Sequence, residues 1–111
     1  MINVNVFVND EGQVTEFTME GHADSAPHGQ DLVCAGASAV VFGSMNAVLG
    51  LTDERPDIDY ADDGGYFTAR VVDLNNKEAQ LIIQAMLVSL QTIKHKAVSY
   101  THLTLPTILR V

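Results

Sequence analysis

The chain has 111 residues, six Lys and Arg against fourteen Asp and Glu, a formal net charge of −8 and a single cysteine. That length suits one domain with one core, and one cysteine cannot close an internal disulfide, which agrees with a reducing compartment. The negative field repels nucleic acid and anionic membrane, no apolar run reaches bilayer length, and the N-terminus lacks a basic leader pattern; a cytoplasmic protein that binds neither nucleic acid nor membrane, with basic partners, is expected.

Residues 2–8 alternate strictly, with Ile2, Val4, Val6 and Val8 on one face and Asn3, Asn5 and Phe7 on the other, the pattern of a half-buried strand. "NDEGQ" at 9–13 is a turn cluster, and Val14 to Glu20 returns with Phe17 and Met19 facing one way, completing a hairpin. The stretch from Gly21 to Gln30 reads as a loop broken by Pro27 and Gly29. A helix is expected from Asp31 to Leu49, with Asp31 as N-cap accepting the backbone N–H of Cys34. Its small residues Gly36, Val40, Gly43 and Ala47 suggest close packing, and apolar residues on nearly every side suggest burial on more than one face.

Ile58–Tyr60 and Tyr66–Val72 flank "ADDGG" as a second hairpin. Asn75 with Glu78 resembles a capping box that opens a second helix, running to Thr92 or Ile93 with the core stripe Ala79, Ile82, Met86, Leu90 and Ile93. Leu81, Leu87 and Val88 make its other faces apolar too, and two such helices on a short chain point to a dimer interface. The order ββαββα gives an α/β fold of the α+β type: a two-layer sandwich, an antiparallel sheet with both helices on one face. Residues 1–96 form that domain. Residues 97–111 change character, with alternating Thr and Leu, Pro106 and no acidic residue, and are set apart as a tail outside the core.

The chemistry gathers at "GHADSAPHGQDLVCAGAS", residues 21–38. Placed in the first turn of a helix, Cys34 meets unsatisfied N–H groups and a dipole that favour an anion. A free thiol is only about 3% ionised at neutral pH, so such a site or a nearby imidazole is what makes it a nucleophile. His22 stands at a strand end, and Ser38 lies one turn beyond Cys34, about 6 Å along the helix. On the residues alone, a nucleophile with its base and a buried structural cysteine both stay open. His22, Asp24, His28 and Cys34 could supply four metal ligands, but their spacing matches no compact zinc pattern; neither metal nor cofactor is expected. His95 and His102 read as solvated surface.

At these residues the sequence resembles the ribosomal-processing cysteine protease (Prp) family. The resemblance rests on Gly21-His22-Ala23, then Gly29-Gln30-Asp31-Leu32-Val33-Cys34-Ala35, then Ser38, and continues through "SAVVFGSMNAVLGLT", "GGYF" and "AQLIIQAMLVSLQTI", over residues 2 to 94. It implies a bacterial, cytoplasmic, homodimeric cysteine endopeptidase that removes the N-terminal extension of large-subunit ribosomal protein twenty-seven, in support of ribosome assembly. By match, Cys34 is the nucleophile and His22 the general base. Gly21, Asp31 and Ser38 match family positions, Asp31 ordering the loop and capping the helix, Ser38 giving local support or touching substrate. His28 inherits no role. Backbone N–H groups of Cys34 and its neighbours are expected to hold the oxyanion. A rival from another class is a non-catalytic dimeric module that binds a peptide or ribosomal protein. "VSYTHLTLPT" in the tail resembles a string at the ends of unrelated proteins where adapter DNA has been translated, so residues from about 97 onward are expected to be non-native.

Overall fold

The structure is a computed structural model that describes residues 3–21, 28–61, 65–97 and 107–110, with the side chains of 28–34, 94–97 and 107–110 outside that description. Alternation in the first twenty residues produces the hairpin it predicts. β1 (Asn3–Val8) pairs antiparallel with β2 (Val14–Glu20), and Val4, Val6, Val14, Phe17 and Met19 are buried on one face. The register shifts between Phe7 and Val8, so Val8 faces Val14 one step out of phase. The turn is closed by Asn9, whose Oδ1 accepts the N–H groups of Glu11 and Gln13.

β3 (Asp57–Tyr60) and β4 (Tyr66–Arg70) form the second hairpin, and β4 joins β2 antiparallel. The "ADDGG" turn falls largely outside the described residues. α1 (His28–Leu51) and α2 (Lys77–Ala97) pack side by side over the sheet. Ala37, Val41, Met45 and Val48 of α1, and Ala79, Ile83, Met86 and Leu90 of α2, close the core against the inner faces of the strands. Burying a large side chain such as Phe17, Phe67 or Leu90 contributes about 2 kcal/mol.

Several expectations shift in detail. α1 starts at His28, not at Asp31, so Gly29 lies inside the helix rather than breaking it, and Asp31 is its fourth residue rather than its N-cap. A glycine near a helix start costs only about 1 kcal/mol, which a helix seated on a sheet can absorb. Among its described side chains α1 buries one stripe: Phe42, Leu49 and Leu51 are exposed in the single chain. The small-residue stripe is split, since a Cβ at Gly36 would lie 3.7 Å from Ile93 Cδ1 of α2, whereas Gly43 has open space. In α2 the cap is Asn76, not Asn75: its Oδ1 accepts the N–H of Ala79 at 3.0 Å. Ile83 replaces Ile82 at the centre of the stripe, while Leu81 and Val88 are exposed. The helix also runs on to Ala97, past the expected end at Thr92 or Ile93.

The order ββαββα is present with one strand added. β5 (Thr107–Arg110), drawn from the segment set apart as a tail, pairs antiparallel with β1, from Asn3↔Arg110 to Val6↔Thr107. The sheet therefore has five strands in the order β3-β4-β2-β1-β5. A free β1 edge offers unpaired N–H and C=O groups, and the extended segment Thr107–Arg110 pairs with them.

Two buried polar side chains fasten the loops at the β1–β2 turn end. Glu54 is 2% exposed, and its carboxylate accepts backbone N–H groups from Arg55, Val72 and Asp73 at 2.9–3.3 Å. This ties the α1–β3 connection to the β4–α2 connection. Gln80, 7% exposed, mimics a neighbouring strand: its Oε1 accepts the N–H of Val14 and its Nε2 donates to the same residue's C=O, both at 2.9 Å. Replacing Glu54 with Ala strands three donors and is expected to cost about 3 kcal/mol; Gln80→Ala is expected to cost about 2 kcal/mol. Urea unfolding should show lower midpoints at unchanged slope, and a midpoint like the parent's for Glu54→Ala would show the clamp to be idle.

Candidate active site

The strand end that leads to His22 is held from two sides. β2 finishes at Glu20, which faces Tyr66 of β4, and the N–H of Gly21 then donates to the C=O of Gly65 at 3.1 Å. Gly21 has φ 121°, a backbone conformation that side-chain-bearing residues rarely adopt. His22 itself lies outside the described residues, as do Asp24 and Pro27.

Cys34 is the seventh residue of α1, and the side chains of His28, Asp31 and Cys34 are not described. The early helix start changes the electrostatics expected at this position. With the helix starting at His28, the amides without an intrahelical acceptor are those of residues 28–30, while the amide of residue 34 is engaged inside the helix. Residue 34 lies about 9 Å along the axis from the first residue, and the dipole's effect falls off within the first turn. The amides of 28–30, rather than that of Cys34, are therefore the helix-end donors open to an anion. Ser38, one turn further on, is half-buried.

A feature missed in the sequence lies further along the same helix. Phe17 of β2, Phe67 of β4 and Tyr60 of β3 stack across the sheet, with centroids 5.7 and 6.3 Å apart. Phe42 of α1 meets Phe67 and Tyr60 edge-on at 5.1 and 5.9 Å. The signal was present as spacing, since 34, 38 and 42 form an i, i+4, i+8 row. On the opposite face of the sheet, Tyr66 Oη donates to Asp59 Oδ2 at 2.9 Å, and this hydrogen-bonded carboxylate holds the phenol above its usual pKa. A concavity of about 380 Å³ lined by Glu11, Gln13, Leu74 and Lys77 sits by the β1–β2 turn, at the far end of β2 from Gly21.

The fold is a two-layer α+β sandwich, and its class, the cysteine proteases, is given by comparison with known families. The model of one family, described as Cysteine protease Prp, matches residues 1–102. The chain belongs to that family. It is 65% identical over 96 residues to the ribosomal processing cysteine protease Prp of Staphylococcus aureus (strain Mu50 / ATCC 700699), covering 86% of this chain and 91% of that protein. Two solved structures of an essential ribosomal processing protease Prp from S. aureus match it at 64% identity, each covering 86% of this chain and 91% of the other. One, in complex with a substrate peptide, superposes with a TM-score of 0.82; the other, in complex with a covalently linked product peptide, with 0.81.

Proposed function

We propose that this protein is the bacterial cytoplasmic endopeptidase that removes the N-terminal extension of large-subunit ribosomal protein twenty-seven, with Cys34 as nucleophile and His22 as general base. The supporting observation is the family match, together with a relative of the same fold that holds a product peptide covalently. The Cys34 thiolate attacks the scissile carbonyl carbon and forms a C–S bond and an oxyanion. Collapse breaks the C–N bond as the His22 imidazolium gives its proton to the leaving amine. Neutral His22 then takes a proton from water, whose oxygen attacks the thioester, and the C–S bond breaks to return the thiolate and release the new carboxylate. The open amides of 28–30 at the helix start are the donors proposed for the oxyanion. Gly21 aims the histidine, Asp31 orders the segment ahead of Cys34, and Ser38 supports the thiol or touches substrate. The chain's −8 charge favours encounter with a basic ribosomal protein.

With residue 34 beyond the first turn, the imidazole carries most of the thiol's activation in this reading. A peptide spanning the extension junction should be cleaved by the parent and by His28→Ala, and by neither Cys34→Ala nor His22→Ala. The pH profile of Cys34 alkylation by iodoacetamide should rise below the ordinary thiol value of about 8.5 in the parent and return toward it in His22→Ala. Binding of that peptide without cleavage by the parent would favour a non-catalytic module instead.

The active unit in this reading is a homodimer. The support is the outer surface of the helix layer, where Ala39, Gly43, Asn46 and Gly50 of α1 and Leu81, Ala85 and Val88 of α2 are exposed without one charge among them. The parent should sediment as a dimer and a Leu81→Glu/Val88→Glu variant as a monomer; a monomeric parent refutes this.

Residues 97–111 are, in the same reading, an appendage to a domain of residues 1–96. The family match ends at residue 102, ahead of β5. Deleting 97–111 should change the unfolding free energy by no more than about 1 kcal/mol, the scale of a short edge pairing. A loss of several kcal/mol would make the segment part of the fold.

A further inference from the structure

The helices cover one face of the sheet, and the other face is bare. The residues that alternate with the core positions lie there, and the cross-strand register sets them in rows. One row runs Phe7–Glu16–Arg70–Asp57, the next places Thr18 and Thr68 beside Asp59, and a third sets Glu20 against Tyr66. The described side chains of these rows include four carboxylates and one cation. That cation, Arg70, is turned to Asp57 at 3.7 Å, and Asp59 already accepts the Tyr66 hydroxyl. The carboxylates of Glu16 and Glu20 meet no cation or donor among the described residues. Four residues apart on β2, they stand about 13 Å from each other along the strand.

Beside Glu16 the bare face is not flat. A hollow of about 360 Å³ is lined by Phe7, Thr15, Glu16, Arg70, Val71 and Leu74, with Phe7 38% exposed. Apolar walls with an unpaired carboxylate match one kind of side chain, an aliphatic stem that ends in a cation. A second copy of this face is a poor occupant, because two carboxylate-bearing surfaces repel, and nucleic acid is repelled in the same way. A Lys- or Arg-rich polypeptide fits both the hollow and the charge. The face also reaches the candidate site, since Glu20 directly precedes Gly21. It stays open in the proposed dimer, which uses the helix layer.

We infer that the bare sheet face is an exosite for a Lys- and Arg-rich segment of the protein substrate, outside the residues that enter the active site. One basic side chain occupies the hollow between Phe7 and Glu16, and another pairs with Glu20. The inference rests on the protease reading for the identity of that substrate. Contacts on a solvated face are screened by salt, so they act on encounter and on KM rather than on the chemical step. Linked to the peptide in the active site, the basic segment also raises that peptide's effective concentration there.

The test uses the full chain and compares the whole precursor protein with a short junction peptide that carries no Lys or Arg. Glu16→Gln/Glu20→Gln should raise KM for the precursor about tenfold, with kcat and the short peptide unchanged. Phe7→Ser should act in the same manner, raising KM for the precursor about threefold. Added salt should raise the parent's KM for the precursor, and should do so less steeply in the double variant. Asp10→Asn/Glu11→Gln makes the same change in net charge on the exposed β1–β2 turn and should cut both substrates as the parent does. Equal effects of the two double variants would overturn the exosite and leave net charge alone as the cause. Equal losses on precursor and short peptide, or no loss on either, would overturn it too. If the parent cuts neither substrate, the protease reading fails, and the anisotropy of fluorescein-labelled oligolysine decides the face by itself. Weaker binding by Glu16→Gln/Glu20→Gln alone then upholds the face as a site for basic polypeptide, and equal binding by parent, variant and control overturns it.

Discussion

The seating of α1 on the sheet is the constraint from which the geometry of this protein follows. Val41, Met45 and Val48 are pressed into the inner faces of the strands, and Phe42 meets Phe67 edge-on from the side. These contacts fix both the rotation and the axial position of the helix, because a slide or roll would force the rings and the buried stripe apart together. Position 34 is part of the same rigid rod. Its distance from the sheet end at Gly21 is therefore set by packing that lies about two to four turns away.

Fastening is unequal along the sheet. The long-range side chain-to-backbone bonds that bury their partners, those of Glu54 and Gln80, lie at the end where β2 begins and α1 finishes. At the other end, where β2 gives way to residue 22, the described connections are backbone pairs from Gly21 to Gly65 and from Ala61 to Tyr66. Buried carboxylates and amides are costly to open once their partners are in place, so the first end acts as an anchor. The chemistry proposed for this family member sits at the other end.

How much of this was legible in the sequence depends on the kind of signal. Period-two alternation exposed β1 and β2 down to the buried Phe17 and Met19, because one side of the sheet is covered and the other is wet. Helix starts were less legible. Asn75 and Asn76 are equally good caps by type, and the choice fell to Asn76 because Asn75 is drawn toward Gln13, whose Nε2 lies 3.3 Å from its Oδ1. Gly29 and Asp31 suggested a break and a cap, and the tertiary seating of α1 overrode both. Burial of Glu54 had no local signature, since its partners at 72 and 73 are far along the chain. The residues of the candidate site were readable as a motif, whereas Phe42 and Tyr60 emerge only once β3 is placed beside β4.

The proposed nucleophile stands nearly two turns into its helix. Near the helix start, open amides and the dipole would stabilise a thiolate at all times, whether or not substrate is bound. At the seventh residue that support is weak, so in the proposed mechanism the imidazole of residue 22, next after Gly21 with its φ of 121°, is left as the main source of ionisation.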